Sequence, residues 1–530
     1  MTVLKLGFPI LFSLMVSFVC LLPSFTLIKP MDYNMSMDWD LILTLDYITF
    51  FFVLVVLSVS YSVFSYSWGY LHNDQWWNKF IMVLFVFVVS MLLLSISGSV
   101  FFSMFGWDGL GLSSVALIYF YRGWVSFHSG LVTFYCNRFG DLFLILSIIL
   151  VSASDLLFFE YSMFLVVGAL TKTAQFPFHV WLPMAMAAPT PVSSLVHSST
   201  LVTAGIYILM RYYHSISPLS LEFMFWVSFM TMIYSGLKSL LELDLKKVIA
   251  YSTLVHLSMM ITFYSVGDFY PSLVHLACHA FMKSTLFMMA GVMIHNNWGY
   301  QDSRIMSSST ITYPMVVFVC MASCSSMVGL PFLSGFYSKE LMLSESLQDS
   351  SLTIPFITGI MGLFFTSAYS TRILLSISIS NPYKLVLIDW ASSKLMLNPI
   401  TLNFIGLVVL GSILVHFDNN SNLSEAIYLM MNQKILMLHV FVFGMITGYL
   451  ISKYPQSTEY NKINYNNKNI TEYFPMFELS WSTVVISSNS ISWINTLKMF
   501  WINSSELSKL SSFKIFMLIL TIFTVYSVLF

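Results

Sequence analysis

Charged residues are scarce in this chain of 530 residues, since only 9% are Asp, Glu, Lys or Arg. A soluble domain carries about a quarter of such residues, and a soluble protein of this length with so few could not cover its surface. The 23 Lys and Arg against 24 Asp and Glu leave no basic excess for nucleic acid. A soluble globular enzyme and a nucleic-acid-binding protein are therefore excluded.

Cysteine is also scarce, with five residues that form no paired framework. Cys320 and Cys324 lie one helical turn apart, but no second pair follows to complete a zinc site or an iron–sulfur cluster. A glycine-rich dinucleotide-binding loop is missing as well. We interpret the cysteines as small packing residues and expect this chain to bind no cofactor of its own.

Hydrophobic residues make up 57% of the chain, and the mean hydropathy is +0.80. A helix crosses the hydrocarbon core of a membrane in about 20 residues. Apolar windows of this kind lie near 6–28, 46–68, 80–97, 99–121, 131–153, 157–176, 193–213, 223–241, 248–266, 272–294, 312–346, 353–377, 399–416, 434–452 and 511–530. They predict an all-α, polytopic membrane protein of about 15 transmembrane helices.

Two of these windows have the pattern of broken helices. The window at 312–346 is too long for one span and is interrupted by Gly329 and Pro331, and the window at 157–176 runs into a proline-rich stretch that begins at Pro177. Interrupted helices are tolerated in a membrane only where protein or water satisfies the freed backbone groups. They often line a binding or transport site.

The C-terminal part is more polar. Residues 452–475 are rich in Asn, Lys and Tyr and predict an exposed loop, whereas 476–510 are too polar to span but suit an amphipathic helix in the membrane interface. An irregular surface loop is the alternative for 476–510.

Several ionisable residues fall inside the apolar windows, where each charge is costly and needs an explanation. They are Asp108, Lys172, His197, His275, His279, Lys283, Lys339 and Glu340. A buried lysine can load or release a proton as a nearby carboxylate approaches or withdraws, and Ser, Thr and His can hold hydrogen-bonded water between such groups. The set as a whole predicts proton movement, with Asp108 modulating Lys172.

Each member also has a simpler explanation. Lys172 and Lys339 stand at helix ends, from which a lysine can reach the membrane surface. His197 can be an ordinary packing residue, and His275 and His279 can be a metal pair, although no third ligand is evident. Lys246 and Lys247 are expected in a solvated or interfacial loop.

Long motifs follow one another from about Leu45 to Arg372. They are GWDGLG at 106–111, NRFGD at 137–141, TKTAQ at 171–175, HVWLP at 179–183, APTPVSSLVHSST at 188–200, DLKKVIAYST at 244–253, HAFMK at 279–283, GLPFLSGFYSKE at 329–340 and SAYSTR at 367–372. With these motifs the chain resembles the antiporter-like membrane subunits of respiratory complex I.

The resemblance implies roles for the residues that match the family's motifs. Asp108 matches a carboxylate that pairs with a lysine on a broken helix, here Lys172. His197 matches the polar link onward, Lys283 the central lysine, and Lys339 the exit-side lysine, with Glu340 beside it. Asp141, His275 and His279 match supporting positions. Many relatives have Glu in place of Asp108 and Asp in place of Glu340.

The resemblance also implies inverted antiporter-like repeats and a lateral helix before the last span. The expected function is proton translocation in the membrane arm of complex I, in the mitochondrial inner membrane. FMN, iron–sulfur clusters and ubiquinone belong to other subunits, and the partners are neighbouring membrane-arm subunits, antiporter-like ones included, and lipids. The expected divisions are an N-terminal span and loop at 1–45, the core at 46–377, additional spans at 378–452, a polar loop and lateral helix at 453–510 and a final span at 511–530.

Three other functions remain open from the residues alone. A stand-alone cation/proton antiporter subunit shares the broken-helix architecture. A quinone or haem enzyme needs paired axial histidines, for which His256, His275 and His279 are candidates. A structural membrane scaffold would not need Asp108 and Lys172 at membrane depth.

Overall fold

A computed structural model describes residues 43–71, 74–153, 158–266, 269–297, 299–303, 314–345, 353–378, 390–417 and 431–453. Nearly all of these residues are helical, and their only extended pairings are two isolated bridges, Leu43 with Ser97 and Asp244 with Asp302. The predicted all-α class is confirmed. The predicted segments at 6–28, 476–510 and 511–530 lie outside the described residues.

Sixteen α-helices occur in the described part of the chain. They are α1 (Tyr47–Tyr70), α2 (Trp77–Ile96), α3 (Val100–Ile118), α4 (Trp124–Ala153), α5 (Phe158–Lys172), α6 (Trp181–Met184), α7 (Thr190–Val196), α8 (Leu201–Arg211), α9 (Pro218–Leu241), α10 (Leu245–Val266), α11 (Phe269–Asn296), α12 (Pro314–Val328), α13 (Ser334–Glu345), α14 (Thr353–Ser378), α15 (Trp390–Phe417) and α16 (Met431–Lys453).

Ten spans in the described part are long and apolar enough to cross a membrane. They coincide with predicted windows, and four shorter apolar helices accompany them. The chain is therefore an integral membrane protein of many spans, while the number of about 15 stays a prediction.

The helices up to Tyr449 form one compact unit, and a second unit runs from Leu450 to Phe530, of which only 450–453 are described. Inside the first unit, α10 and α11 are almost completely covered by other helices, whereas α2, α3 and α4 expose apolar side chains. Polar and titratable residues on the central helices are consequently shielded by protein rather than exposed to lipid.

The first predicted break is confirmed. Helix α5 ends at Lys172, Ala174 has a left-handed backbone with φ 55°, and the chain continues through short helical turns to Ala187. The end of α5 leaves backbone carbonyls without helical partners. The indole of Trp181 donates a hydrogen bond of 2.9 Å to one of them, the carbonyl of Thr171.

The second predicted break is confirmed as well. Helix α12 ends at Val328, Gly329 adopts a φ of 95°, and α13 begins at Ser334. Gly335 lies in the first turn of α13, where its backbone packs directly on the end of α12. A Cβ at Gly335 would lie only 1.8 Å from the carbonyl oxygen of Ser326.

A third interruption was not predicted. The window at 193–213, expected as one continuous span, is divided at His197 to Thr200 between α7 and α8. The Ser198 hydroxyl donates to the carbonyl of Ser194, and the Thr200 hydroxyl donates to the carbonyl of Leu195 at 2.8 Å. Hydroxyl side chains that bond to nearby carbonyls compete with the regular helix, so a serine-rich stretch can interrupt a span without proline or glycine.

Lys246 and Lys247, expected in a solvated or interfacial loop, are helical instead, and of the two only Lys247 is partly exposed. Both residues lie in the first turn of α10, and Lys246 is buried, with its ammonium donating to the carbonyl of Ala188 at 3.1 Å. Lys247 is partly exposed and pairs with Asp244 at 2.7 Å. The neighbouring acidic and basic residues suggested a loop. In the structure, however, α10 packs against the segment that contains Ala188, and this packing covers Lys246.

Candidate functional site

The ammonium of Lys172 is completely buried at the end of α5. It donates a hydrogen bond of 2.6 Å to the backbone carbonyl of Trp107 on α3 and lies 3.8 Å from the centroid of the Trp107 ring. A cation held over an indole face away from water gains about 2 kcal/mol. Lys172 therefore points into the protein rather than toward a membrane surface, which argues against the simple snorkelling explanation.

Two carboxylates, Asp141 and Asp108, are linked to Lys172 through Trp107 and Arg138. Asp141 on α4 accepts a hydrogen bond of 2.8 Å from the Trp107 indole and pairs with Arg138 at 3.1 Å. Asp108 pairs with the same guanidinium at 3.5 Å. Asp108 is not within ion-pair distance of Lys172, so the expected direct pair is replaced by an indirect one through Trp107, Asp141 and Arg138.

The contributions of Trp107 and Arg138 were missed at the sequence level. Both residues stood inside quoted motifs, Trp107 beside Asp108 and Arg138 three residues before Asp141, so that Arg138 and Asp141 share a helical face. The available signal was an arginine in an apolar window, since such a charge needs an opposite partner.

His197 lies at the third interruption and is buried. Its ring lies 6.3 Å from the ring of Trp181 and 6.1 Å from that of Phe287, measured between centroids. Its Nδ1 atom and the Ser199 hydroxyl have no hydrogen-bond partner within the part of the chain that the structure describes. Buried polar atoms of this kind are usually satisfied by ordered water.

Two further buried lysines meet at the end of α12. Lys283 on α11 donates to the Ser252 hydroxyl at 2.7 Å and contacts the sulfur of Met327 at 3.1 Å. Lys339 on α13 donates to the backbone carbonyl of Met327 and to the Thr366 hydroxyl at 3.1 Å. Met327, at the end of α12, therefore contacts both lysines: its carbonyl accepts from Lys339, and its sulfur contacts Lys283. Glu340, next to Lys339 in the chain, is half-buried.

Three histidines form a buried cluster beside these lysines. Nδ1 of His256 lies 3.1 Å from Nε2 of His275, Nε2 of His256 lies 2.9 Å from the Tyr369 hydroxyl, and Nδ1 of His275 lies 2.9 Å from the Ser338 hydroxyl. The His279 ring lies 5.6 Å from the His256 ring. The result is a continuous hydrogen-bonded row from Tyr369 to Ser338, the residue that precedes Lys339.

Sequence reasoning had considered His256 only as a haem ligand and had not singled out Tyr369 or Ser338. The 3.1 Å between the nitrogens of His256 and His275 is a direct hydrogen-bond distance. Two axial imidazoles on opposite faces of a haem hold their ligating nitrogens about 4 Å apart, because the two bonds are about 2 Å long and point in opposite directions. The geometry therefore supports a hydrogen-bonded relay at this position and not a haem held between these two rings.

The arrangement has the parts that proton transfer needs. Three completely or almost completely buried lysines, Lys172, Lys283 and Lys339, each contact oxygen or sulfur acceptors, and the histidine row connects titratable rings through hydroxyl groups. Imidazole and hydroxyl groups both donate and accept protons. No group of three His, Cys, Asp or Glu residues that could hold a metal ion occurs among the described residues.

The family model described as NADH:quinone oxidoreductase/Mrp antiporter, TM, matches residues 97–366, which include all of the buried lysines discussed above. A second model, described as NADH-Ubiquinone oxidoreductase (complex I), chain 5 N-terminus, matches residues 33–81.

Curated relatives agree with these matches. NADH-ubiquinone oxidoreductase chain 5 of Mytilus edulis is 38% identical over 392 residues, which are 70% of this chain and 68% of the relative. The protein of the same name from Locusta migratoria is 34% identical over 478 residues, which are 85% of this chain and 80% of the relative. The chain belongs to the family of NADH-ubiquinone oxidoreductase chain 5.

A solved structure shares the fold of this chain 5 family member. One chain of the Mrp complex from Dietzia sp. superimposes with a TM-score of 0.66 at 22% identity, covering 86% of this chain and 56% of that one. The same fold therefore occurs in a protein whose sequence is only 22% identical to this chain. The roles of the individual site residues within chain 5 remain predictions.

Proposed function

We propose that this chain is a proton-translocating core subunit in the membrane arm of respiratory complex I, in the mitochondrial inner membrane. The observation that carries the proposal is the buried ammonium of Lys172, which stands at a broken helix and is linked through Trp107 to Asp141. Membership of the chain 5 family supplies the reaction to which this site is coupled, the transfer of electrons from NADH to ubiquinone in other subunits that carry FMN and iron–sulfur clusters.

In this proposal the lysines hold protons in turn. Asp141 and Asp108 favour the charged form of Lys172, because opposite charges stabilise each other most strongly where water is excluded. A proton released from Lys172 passes the interruption at His197 and reaches Lys283. Protons then leave through Lys339, with Glu340 beside it and with His275 and His279 supporting the path. Residues 46–377 form the translocating core, and 378–452 contribute additional spans.

Two charges that the described part of the chain leaves partly exposed support the proposed partners. Asp108 and Arg138 lie in spans, yet about two-fifths of each side chain is exposed, amid outward apolar residues such as Phe105, Leu112 and Tyr135. Charges that face lipid are costly. We assign this face of α3 and α4 to the contact with a neighbouring antiporter-like subunit, with lipids around the remainder.

The proposal is tested on the native assembly. Mild detergent, a native gel stained for NADH dehydrogenase activity and mass spectrometry of the stained band should place this chain in a very large active complex. A small band without NADH dehydrogenase activity, in both mild and harsher detergents, would contradict the complex I assignment.

A stand-alone cation/proton antiporter subunit is the second candidate, and the fold shared with the Mrp complex is the observation that favours it. It predicts cation-dependent proton movement in vesicles without NADH or quinone. Dependence of proton movement on NADH oxidation would exclude it.

Replacing Tyr369 by Phe tests the histidine row. The variant removes the hydroxyl 2.9 Å from Nε2 of His256 and keeps the buried ring. We therefore expect normal assembly and an approximately threefold to tenfold lower rate of NADH-driven proton translocation, which corresponds to the loss of one hydrogen bond of about 0.5–1.5 kcal/mol. Proton uptake by sealed vesicles measures the rate.

The matched control for this change is Tyr300→Phe, because Tyr300 is largely exposed and lies outside the row. Its translocation rate should equal that of the wild type. Equal rates for the Tyr369 variant as well would remove Tyr369 from the proton path.

A further inference from the structure

Trp107 contacts both Lys172 and Asp141, which do not form a direct ion pair with each other. The residue is completely buried on α3. Its carbonyl accepts from the ammonium at 2.6 Å, its ring face lies 3.8 Å from that ammonium, and its indole N–H donates to Asp141 at 2.8 Å. One uncharged side chain therefore contacts a cation and an anion at the same time.

The two contacts are made by parts of the indole that carry opposite partial charges. The face of an aromatic ring is negative and attracts the ammonium, whereas the N–H edge is positive and stabilises the carboxylate. A hydrogen bond that is made only to the charged form of an acid favours that form. The indole thus favours a charged Lys172 and a charged Asp141 without letting them touch.

The remaining charged groups around the pair are few. Arg138 bonds to the second oxygen of Asp141, leaving the first oxygen to Trp107, and Arg138 also pairs with Asp108. Asp141, Asp108 and Arg138 are the charged groups that act on Lys172 within the described part of the chain. Of these groups, Asp141 is the one joined to Lys172 through a single intervening side chain.

We propose that Trp107 is a positioning residue that couples the protonation of Lys172 to the charge on Asp141. This inference rests on the proposed function, since it assumes that Lys172 carries a translocated proton. When Asp141 is charged, the indole is held in place and Lys172 retains its proton. When Arg138 turns from Asp141 toward Asp108, the carboxylate of Asp141 loses its cationic partner and takes up a proton from the water path more readily; the neutral Asp141 no longer stabilises the ammonium, and Lys172 releases its proton more readily.

The variant that isolates the N–H is Trp107→Phe, which keeps an aromatic face and the backbone carbonyl at Lys172. Without the indole N–H, the carboxylate of Asp141 takes up a proton more readily, so Lys172 loses its own proton at lower pH. We expect the limb of the pH profile on which translocation falls with rising pH to move down by about one pH unit, a tenfold change in proton concentration.

The matched control is Trp181→Phe. Trp181 is also completely buried, and its indole N–H donates to a backbone carbonyl at the same break, so the control loses the same volume and the same kind of hydrogen bond. It should leave the midpoint of the pH profile in place. If the midpoint of the pH profile moved equally far in the control, the effect of Trp107→Phe would be one of packing alone.

A double variant tests the route through Asp141. If Trp107 acts on Lys172 through Asp141, then Trp107→Phe should produce no further shift in an Asp141→Asn background. The measurements use the whole complex in sealed membrane vesicles, with native gels to quantify assembly and initial rates of proton uptake across the pH range.

The possible results separate this inference from the proposed function. A wild-type pH profile in assembled Trp107→Phe, or a shift that persists in the Asp141→Asn background, overturns the inference alone. Full translocation in an assembled Lys172→Met variant overturns the proposed function at this site. A shift in Trp107→Phe that disappears with Asp141→Asn, together with reduced translocation in Lys172→Met, supports both.

Discussion

Replacing Lys172 by Met lowers NADH-driven proton translocation by about tenfold or more, while the amount of assembled complex stays within about twofold of the wild type. Methionine keeps an unbranched side chain of similar length, which suits a packed interior. The carbonyl of Trp107 loses the ammonium that donates to it, but it lies inside α3 and keeps its helical hydrogen bond, so the cost in stability is small. The group that would carry the proton, however, is lost completely.

Two measurements check this result on the same membranes. Proton uptake by sealed vesicles reports translocation, and the native gel reports assembly. Lys79→Met is the matched control, because Lys79 is exposed near the start of α2 and lies over the ring of Trp76. Its translocation rate should be that of the wild type, whereas a wild-type rate for assembled Lys172→Met would contradict a proton-carrying role for Lys172.

Replacing Gly335 by Ala should reduce the amount of assembled complex about tenfold. The added Cβ would lie 1.8 Å from the carbonyl oxygen of Ser326 and 2.9 Å from the terminal methyl of Met282. The first of these atoms belongs to backbone and cannot move aside without shifting α12. Overpacking a well-packed interior costs about 1–3 kcal/mol or more, and a shift of α12 would also displace the Met327 carbonyl from Lys339.

Gly111→Ala is the matched control for the change at Gly335. Gly111 lies in the middle of α3, and the nearest atoms to an added Cβ belong to Asn137, at 3.9 Å or more. Alanine in a helix interior is favoured over glycine by about 0.5–1 kcal/mol, so this variant should assemble as the wild type does. Normal assembly of Gly335→Ala would mean that the α12–α13 break tolerates a wider spacing than the structure shows.

The sequence was most informative where one physical rule acts along the chain. The windows at 248–266 and 272–294 became α10 and α11, because an apolar stretch of sufficient length must hydrogen-bond its backbone internally in a membrane. Both breaks with glycine or proline were predicted for the same reason. The interruption at His197 was missed, because serine hydroxyls bond to backbone carbonyls inside continuous helices as well, as Ser60 and Ser62 do in α1, and a serine-rich stretch therefore gives no local signal of a break.

Which side chains contact one another could not be predicted from the sequence in the same way. Asp108 was expected beside Lys172, yet it pairs with Arg138, and Lys172 contacts Trp107. Lys246 looked solvated because of its acidic and basic neighbours, yet it is buried against Ala188. Both outcomes depend on how helices distant in sequence are rotated and stacked, and no local pattern encodes that rotation.

By itself, then, the sequence determined that this protein is all-helical, embedded in a membrane, interrupted near Lys172 and Lys339, and furnished with titratable residues at membrane depth. Length and hydrophobicity are sufficient for those conclusions, because the bilayer imposes them on each segment separately. Only the tertiary structure decided that Trp107 contacts both Lys172 and Asp141, that Lys283 and Lys339 meet at Met327, and that His256 joins Tyr369 to His275. These contacts join residues that are far apart in the chain, and their geometry follows from the packing of whole helices against one another.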